Sequence, residues 1–252
     1  MKYEIIDSHC HLDFPKFNRD RGESIERARN SGVVEMVNSG IDYKTNLSTL
    51  SLSDEYDFIH PTLGLGPQVV IHSDDRQVEL ILDQIEQNIH RAVGIGEAGM
   101  DYHHCKSIPG QMRQVGVFKR IVEIAKDHEK ALVIHGRDAE NKALELVRDL
   151  DSVVFHCYGG SAKTMEQIVD SGYYVSIATL VCFSKHHQSL VEKLPLENML
   201  IETDSPYLSP RKGRNEPAFI VDSIQKIAKI KGVEEQEVAK ATTKNTRKAF
   251  GI

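Results

Sequence analysis

RAVGIGEAGMDYHHCKSIPGQMRQVGVFKRIVEIAKDHEKALVIH, residues 91–135, holds one complete unit of the pattern that sets the fold. It opens on a short apolar run, RAVGIGE (91–97), and closes on another, KALVIH (130–135). Between them Val117, Ile121, Ile124 and Ala125 share one face of a helical wheel while Lys and Glu residues take the others, as a helix covering a sheet requires. Two strands separated by a helix-length crossover cannot form a tight hairpin. They pair in parallel, with a right-handed connection.

The same unit recurs in both directions along the chain. Strands are expected at 3–8, 33–39, 58–64, 91–97, 130–135, 152–157, 173–178 and 198–203. Helices are expected at 22–31, 43–54, 75–89, 111–128, 138–149, 162–171, 185–194 and 216–231. Eight βα units in 252 residues predict an α/β fold, a single (β/α)8 TIM barrel, with a doubly wound open sheet as the alternative. No Pro/Ser-rich linker or low-complexity tract divides the chain, so residues 1–252 read as one domain, with an additional helical segment at about 234–252.

A parallel barrel opens all of its C-terminal strand ends on one face. The residues at those ends are therefore the informative ones. The first strand runs into His9 and His11, the fourth into Glu97, the fifth into His135, the sixth into His156 and the eighth into Asp204. An isolated HxH means little, since 12 histidines in this length give roughly 0.6 such pairs by chance. Six potential ligands converging on one mouth are a different matter, and they predict a metal centre.

Bulk composition narrows the remaining classes. A formal charge of −6 argues against coating nucleic acid through a broad basic face, and no apolar run approaches the roughly 18 residues that span a bilayer. MKYEIIDSH does not read as a signal peptide, so a cytoplasmic protein is expected, with no membrane association. Four widely spaced cysteines without a CxxC argue against a disulfide framework or a zinc knuckle.

SHCHLDF, GEAGMDYH, VIHGRDA, FHCYGGS and ETDSPYLSP, then GRNEPAFI and TTKNT, resemble in sequence and order the signature blocks of the TatD family of metal-dependent hydrolases, part of the wider amidohydrolase group. That resemblance implies a (β/α)8 barrel holding two divalent ions. His9, His11, Glu97 and Asp204 would hold one; Glu97, His135 and His156 would hold the other, with Glu97 shared. Four imidazoles favour zinc, manganese or another first-row transition metal over magnesium, although magnesium is used by such nucleases.

Such a centre activates water for hydrolysis, with Asp204 and Glu97 as the catalytic carboxylates and Asp204 placed to take the water's proton. The expected substrate is DNA, single-stranded at an end, because a barrel mouth admits a flexible strand more readily than a stiff duplex. An amidohydrolase or esterase acting on a small carbonyl compound is one alternative. A metal-retaining nucleic-acid-binding protein without turnover is another. No protein partner is indicated. Arg137, His103, Arg214 and Asn215 are the candidate substrate contacts, the last two within RKGRNEP (211–217), and Asp138 reads as a helix N-cap. One departure from the family stands out: GLGPQ places Gly66 and Gln68 where many members have histidines.

Overall fold

The computed structural model describes residues 3–252. Its elements run β1 (Ile5–Cys10), α1 (Arg21–Asn30), β2 (Val33–Ser39), α2 (Tyr43–Glu55), β3 (Ile59–Leu65), α3 (Pro67–His72), α4 (Asp75–Asn88) and β4 (Gly94–Asp101). There follow α5 (Ile108–Asp127), β5 (Ala131–Arg137), α6 (Glu140–Leu146), β6 (Val153–Phe155), α7 (Ala162–Asp170), β7 (Tyr174–Ile177), α8 (Lys185–Lys193), β8 (Met199–Ile201), α9 (Ile220–Lys231) and α10 (Glu235–Phe250).

The eight strands form one sheet in sequence order, and every neighbouring pair is parallel. Beyond the end of β8 the sheet meets its first strand: Asp204 N donates to His9 O at 3.0 Å, and His11 N donates to Ser205 O at 2.8 Å. The buried Asp7 carboxylate clasps the same seam, accepting from Thr203 N at 2.9 Å and from Thr203 Oγ1 at 2.6 Å. The (β/α)8 barrel is therefore the architecture, and the open doubly wound sheet is excluded.

Strands buried on both faces need apolar side chains on both. One set, including Ile5, Ile95, Ala98 and Met100, packs outward against helix residues such as Ile25, Val78 and Phe118. A smaller set, Val37, Val133, Val154 and Leu200, fills the lumen and is plugged by Ala249 and Phe250 of α10. The predicted C-terminal helix thus closes the end opposite the site. Its Asn245 Nδ2 donates to Leu196 O at 2.7 Å and to Met199 O at 2.9 Å.

Two departures from ideal strands aim the functional side chains. Ile95 and Ala98 both face the helices although three positions separate them, so the side-chain alternation of β4 slips between them and Glu97 turns into the lumen. Gly96, at φ +139°, makes the slip possible, since a Cβ there would lie 2.5 Å from Val133 O. A similar slip in β1 lies between Asp7 and Cys10. Ile5 and Cys10 both face outward, while His9 and His11 face inward. The sequence reading also passed over α3, whose Val-rich PQVVIH segment is helical from Pro67, a residue whose fixed φ suits a first helical turn. Among the described residues no helix is long and apolar enough to cross a membrane.

Candidate metal centre

The end of β1, the middle of β4, the end of β5 and the segments after β6 and β8 bring six side chains together, Glu97 lying within its strand and not at the strand end expected. All but the fully buried His9 line the floor of one cavity of about 920 Å³. The arrangement divides about Glu97. Its Oε2 lies 3.3 Å from His9 Nε2 and 3.5 Å from His11 Nε2, and Asp204 Oδ1 lies 3.5 Å from His11 Nε2 and 3.9 Å from His9 Nε2. The two imidazole nitrogens are 3.2 Å apart. On the other side Glu97 Oε1 lies 2.7 Å from His135 Nδ1 and 3.3 Å from His156 Nε2, and those nitrogens are 3.3 Å apart.

These separations test whether metal ions fit. Ligand atoms about 2.1 Å from one ion in a tetrahedral shell are about 3.4 Å from each other. Four of the five distances in the first group lie near that edge, the exception being the 3.9 Å between Asp204 and His9, and so do two of the three in the second. The third, His135 to Glu97, is a direct hydrogen bond. Four imidazoles with two carboxylates, one of them offering an oxygen to each side, suit a pair of borderline divalent ions.

Outer contacts aim the imidazoles. His11 Nδ1 is held by Ser39 O at 2.8 Å, and His9 Nδ1 contacts Ser39 Oγ at 3.1 Å. Behind His156, the Glu202 carboxylate lies 3.4 Å from Nδ1 and accepts Cys157 N at 2.8 Å. Behind His135, Asp101 Oδ2 lies 3.4 Å from Nε2. His135 Nε2 and His156 Nδ1, the nitrogens turned away from Glu97, are buried without a properly oriented hydrogen-bond partner. Asp204 sits at φ +52°, in the left-handed region that Asp tolerates better than most residues.

Without metal, the carboxylates compete with burial for the imidazole protons. Burial lowers the proton affinity of His11, but Asp204 and Glu97 outweigh it and raise its pKa to about 10. His135 rises to about 9 for the same reasons, through Asp101 and Glu97. Glu97 stays well below the usual carboxylate range, because His156, His11 and His135 overcome the opposing effect of burial. His156 is likewise pushed well above its usual value, its burial being outweighed by Glu97 and Glu202. All three imidazoles must shed a proton to bind a cation, so metal uptake at pH 7 is expected to release on the order of three protons. Affinity should then rise by roughly tenfold per pH unit per proton released, up to about pH 9. Calorimetry in buffers of different ionisation enthalpy measures this directly. Uptake without proton release would remove His11, His135 and His156 from the ligand set.

The proposed substrate contacts separate into two groups. Arg137 and His103 are exposed and line the cavity mouth. Arg214 and Asn215 are not among its lining residues. Arg214 is held by Asp20, 194 positions earlier, through two hydrogen bonds of 2.7 Å, donates to Lys16 O and Ser24 Oγ, and lies over the Phe17 ring. Asn215 is fully buried, and its Nδ2 donates to Thr203 O at 2.8 Å and to Thr179 Oγ1 at 3.0 Å. Both anchor the loop after β8 instead of presenting groups to a ligand. Arg214→Ala is accordingly expected to change hydrolysis by less than about twofold while costing about 1–2 kcal/mol of stability, read from denaturant unfolding. Asp138 is likewise not a cap: Ala139 occupies that position, and Asp138 pairs with His103 at 3.4 Å.

Several lining residues were not among the candidate site residues, although Phe14, Tyr207 and Leu208 lie within the SHCHLDF and ETDSPYLSP blocks. Phe14 stacks on His11 with ring centroids 4.5 Å apart, Tyr207 stands edge-on to Phe14, and His187 and Leu208 complete that wall. Gly66 and Gln68 also face the cavity.

Known proteins resemble this chain over nearly its whole length. Residues 6–251 match the family described as TatD related DNase. An uncharacterized metal-dependent hydrolase of Methanocaldococcus jannaschii is 41% identical over 248 residues, covering 98% of this chain and 97% of the relative. A 3'-5' ssDNA/RNA exonuclease TatD of Citrobacter rodentium is 30% identical, covering 98% of each chain. The crystal structure of a TatD homologue from Escherichia coli K12 superposes with a TM-score of 0.89 at 26% identity, covering 100% of both chains.

Proposed function

The chain belongs to the TatD related DNase family of metal-dependent hydrolases, and from that premise we propose that it cleaves phosphodiester bonds at single-stranded DNA ends with two divalent ions. The observation that carries this reading is the division of the Glu97 carboxylate, one oxygen toward His9, His11 and Asp204 and the other toward His135 and His156. Zinc, manganese or another first-row ion matches that donor set best. Bound there, such a pair supplies Lewis-acid stabilisation of the developing phosphorane charge and a more acidic water.

The protein's own groups do the rest. Asp204, 14% exposed at the cavity floor, orients the attacking water through a carboxylate oxygen and takes its proton. Arg137 and His103 at the rim receive backbone phosphates. Phe14 and Tyr207 offer ring faces and edges for an unpaired base, which favours a single strand over a duplex. The name of the Citrobacter rodentium relative supports the same substrate class.

The test is end-labelled single-stranded and duplex DNA incubated with protein reloaded with zinc, manganese, cobalt or magnesium, beside a panel of amides and lactones. Nucleotide release from the single strand, abolished by chelator and restored by metal, is the expected result. Turnover confined to the carbonyl compounds would overturn the substrate, and metal-loaded protein that binds DNA without cutting it would overturn the enzyme.

A further inference from the structure

Outside the six clustered side chains, a further imidazole–carboxylate pair faces the same cavity. Asp101 closes β4 and is 2% exposed. Its side chain builds the turn that follows, with Oδ1 accepting His104 N at 2.9 Å and Oδ2 accepting His104 Nδ1 at 2.7 Å. Gln68 Nε2 donates to Oδ2 at 3.2 Å, and Gln114 fixes the Asp101 backbone from behind at 3.1 Å. The carboxylate is thus immobilised, and it sets both the tilt of the His104 ring and the nitrogen that carries the inner proton. His104 Nε2 is left for the cavity, whose wall this half-exposed side chain forms.

Two other imidazoles outside the cluster line the cavity, and neither is equipped in the same way. His103 pairs with Asp138 at 3.4 Å, but both side chains are about half exposed and no buried group fixes them. His187 is held by Ser184 Oγ at 2.8 Å, and burial pushes its pKa down to about 4, so it carries no transferable proton at neutral pH. Only His104 combines a buried carboxylate behind it with an outer nitrogen toward the substrate space. A carboxylate in that position fixes the tautomer and direction of the ring.

We infer that His104, positioned by Asp101, is the group that protonates the leaving oxygen of the scissile ester. The assignment rests on the phosphodiesterase reading above. Water oxygen bonds to phosphorus as one of its protons passes to Asp204. The bond from phosphorus to the leaving oxygen breaks, and its electron pair takes the Nε2 proton of His104. Asp204 then gives its proton to solvent and His104 recovers one, so both side chains return to their starting states. Donor and acceptor thereby come from the separate segments that follow β4 and β8.

Leaving-group chemistry tests this directly. A thymidine dinucleotide departs as an alkoxide that needs a proton, whereas the p-nitrophenyl ester of thymidine 5'-phosphate departs as a stable phenolate that does not. His104→Ala and His104→Gln are expected to lose about 10²-fold or more in kcat on the dinucleotide. On the p-nitrophenyl ester they should stay within about threefold of the parent, with KM, metal per chain and melting temperature unchanged. Equal losses on both esters, or none on the dinucleotide, would overturn the assignment. A metal-loaded parent protein that cleaves neither ester overturns the phosphodiesterase reading itself, and the role of His104 with it.

Discussion

Glu97→Gln is expected to deplete both halves of the metal centre together and to lower hydrolysis by about 10³-fold or more, on the scale of losing a group that organises transition-state charge. The reason is geometric. No other carboxylate in the cluster lies against both groups of donors: Asp204 approaches His9 and His11, while His9 itself stacks on the His156 ring with centroids 4.1 Å apart. The amide keeps the shape of the carboxylate but offers one poor ligand oxygen and one nitrogen that cannot ligate. It also removes the anion that holds protons on His11, His135 and His156, so the imidazoles should deprotonate at lower pH in the variant. Elemental analysis after dialysis, run beside a thermal melt, separates loss of metal from loss of fold. Retention of two ions per chain would show that Glu97 does not join them.

Asp204→Asn should behave differently, and the contrast is informative. Asn tolerates the left-handed backbone at this position as well as Asp does, so the hydrogen bonds that Asp204 N and O make to His9 and Tyr207 should persist. His9, His11 and Glu97 remain on that side of the centre, and the His135–His156 side is untouched. Most of the metal should therefore stay. What is lost is a negative oxygen able to accept a proton, and kcat is expected to fall by about 10² to 10⁴ with KM nearly unchanged. A variant within tenfold of the parent rate would mean that another group takes the proton.

The two substitutions also mark how far a one-dimensional reading reaches. His9, His11, Glu97, His135, His156 and Asp204 stand out in the sequence because each follows an apolar run, and parallel strands of one barrel must end on one face. Asp101 and Glu202 lie in the same blocks as Glu97 and Asp204, and Glu202 also follows an apolar run, but their positions do not show that they back imidazoles. A carboxylate beside a ligand in sequence looks the same whether it backs an imidazole or faces a solvent-exposed helix, and only the positions of His104, His135 and His156 distinguish the cases. Arg214 and Asn215 show the converse. Their loop has the composition of a phosphate-binding segment, but Asp20 and the Thr203 carbonyl, distant in sequence and adjacent in space, had already engaged them.

Side-chain periodicity along a strand is a local property, set by backbone geometry over a few residues, so the sequence by itself determined the eight βα units, their order and the chemistry offered at the strand ends. The tertiary structure decided the rest. Slips in β1 and β4 turn His9 and Glu97 inward where uninterrupted alternation would not, and position 96 accepts only glycine because its backbone is at φ +139° and Val133 O leaves no room for a Cβ. Which polar groups face the cavity and which are consumed by the fold depends on distant partners, such as Lys16 O, 198 positions from Arg214, and that pairing exists only once the barrel has closed.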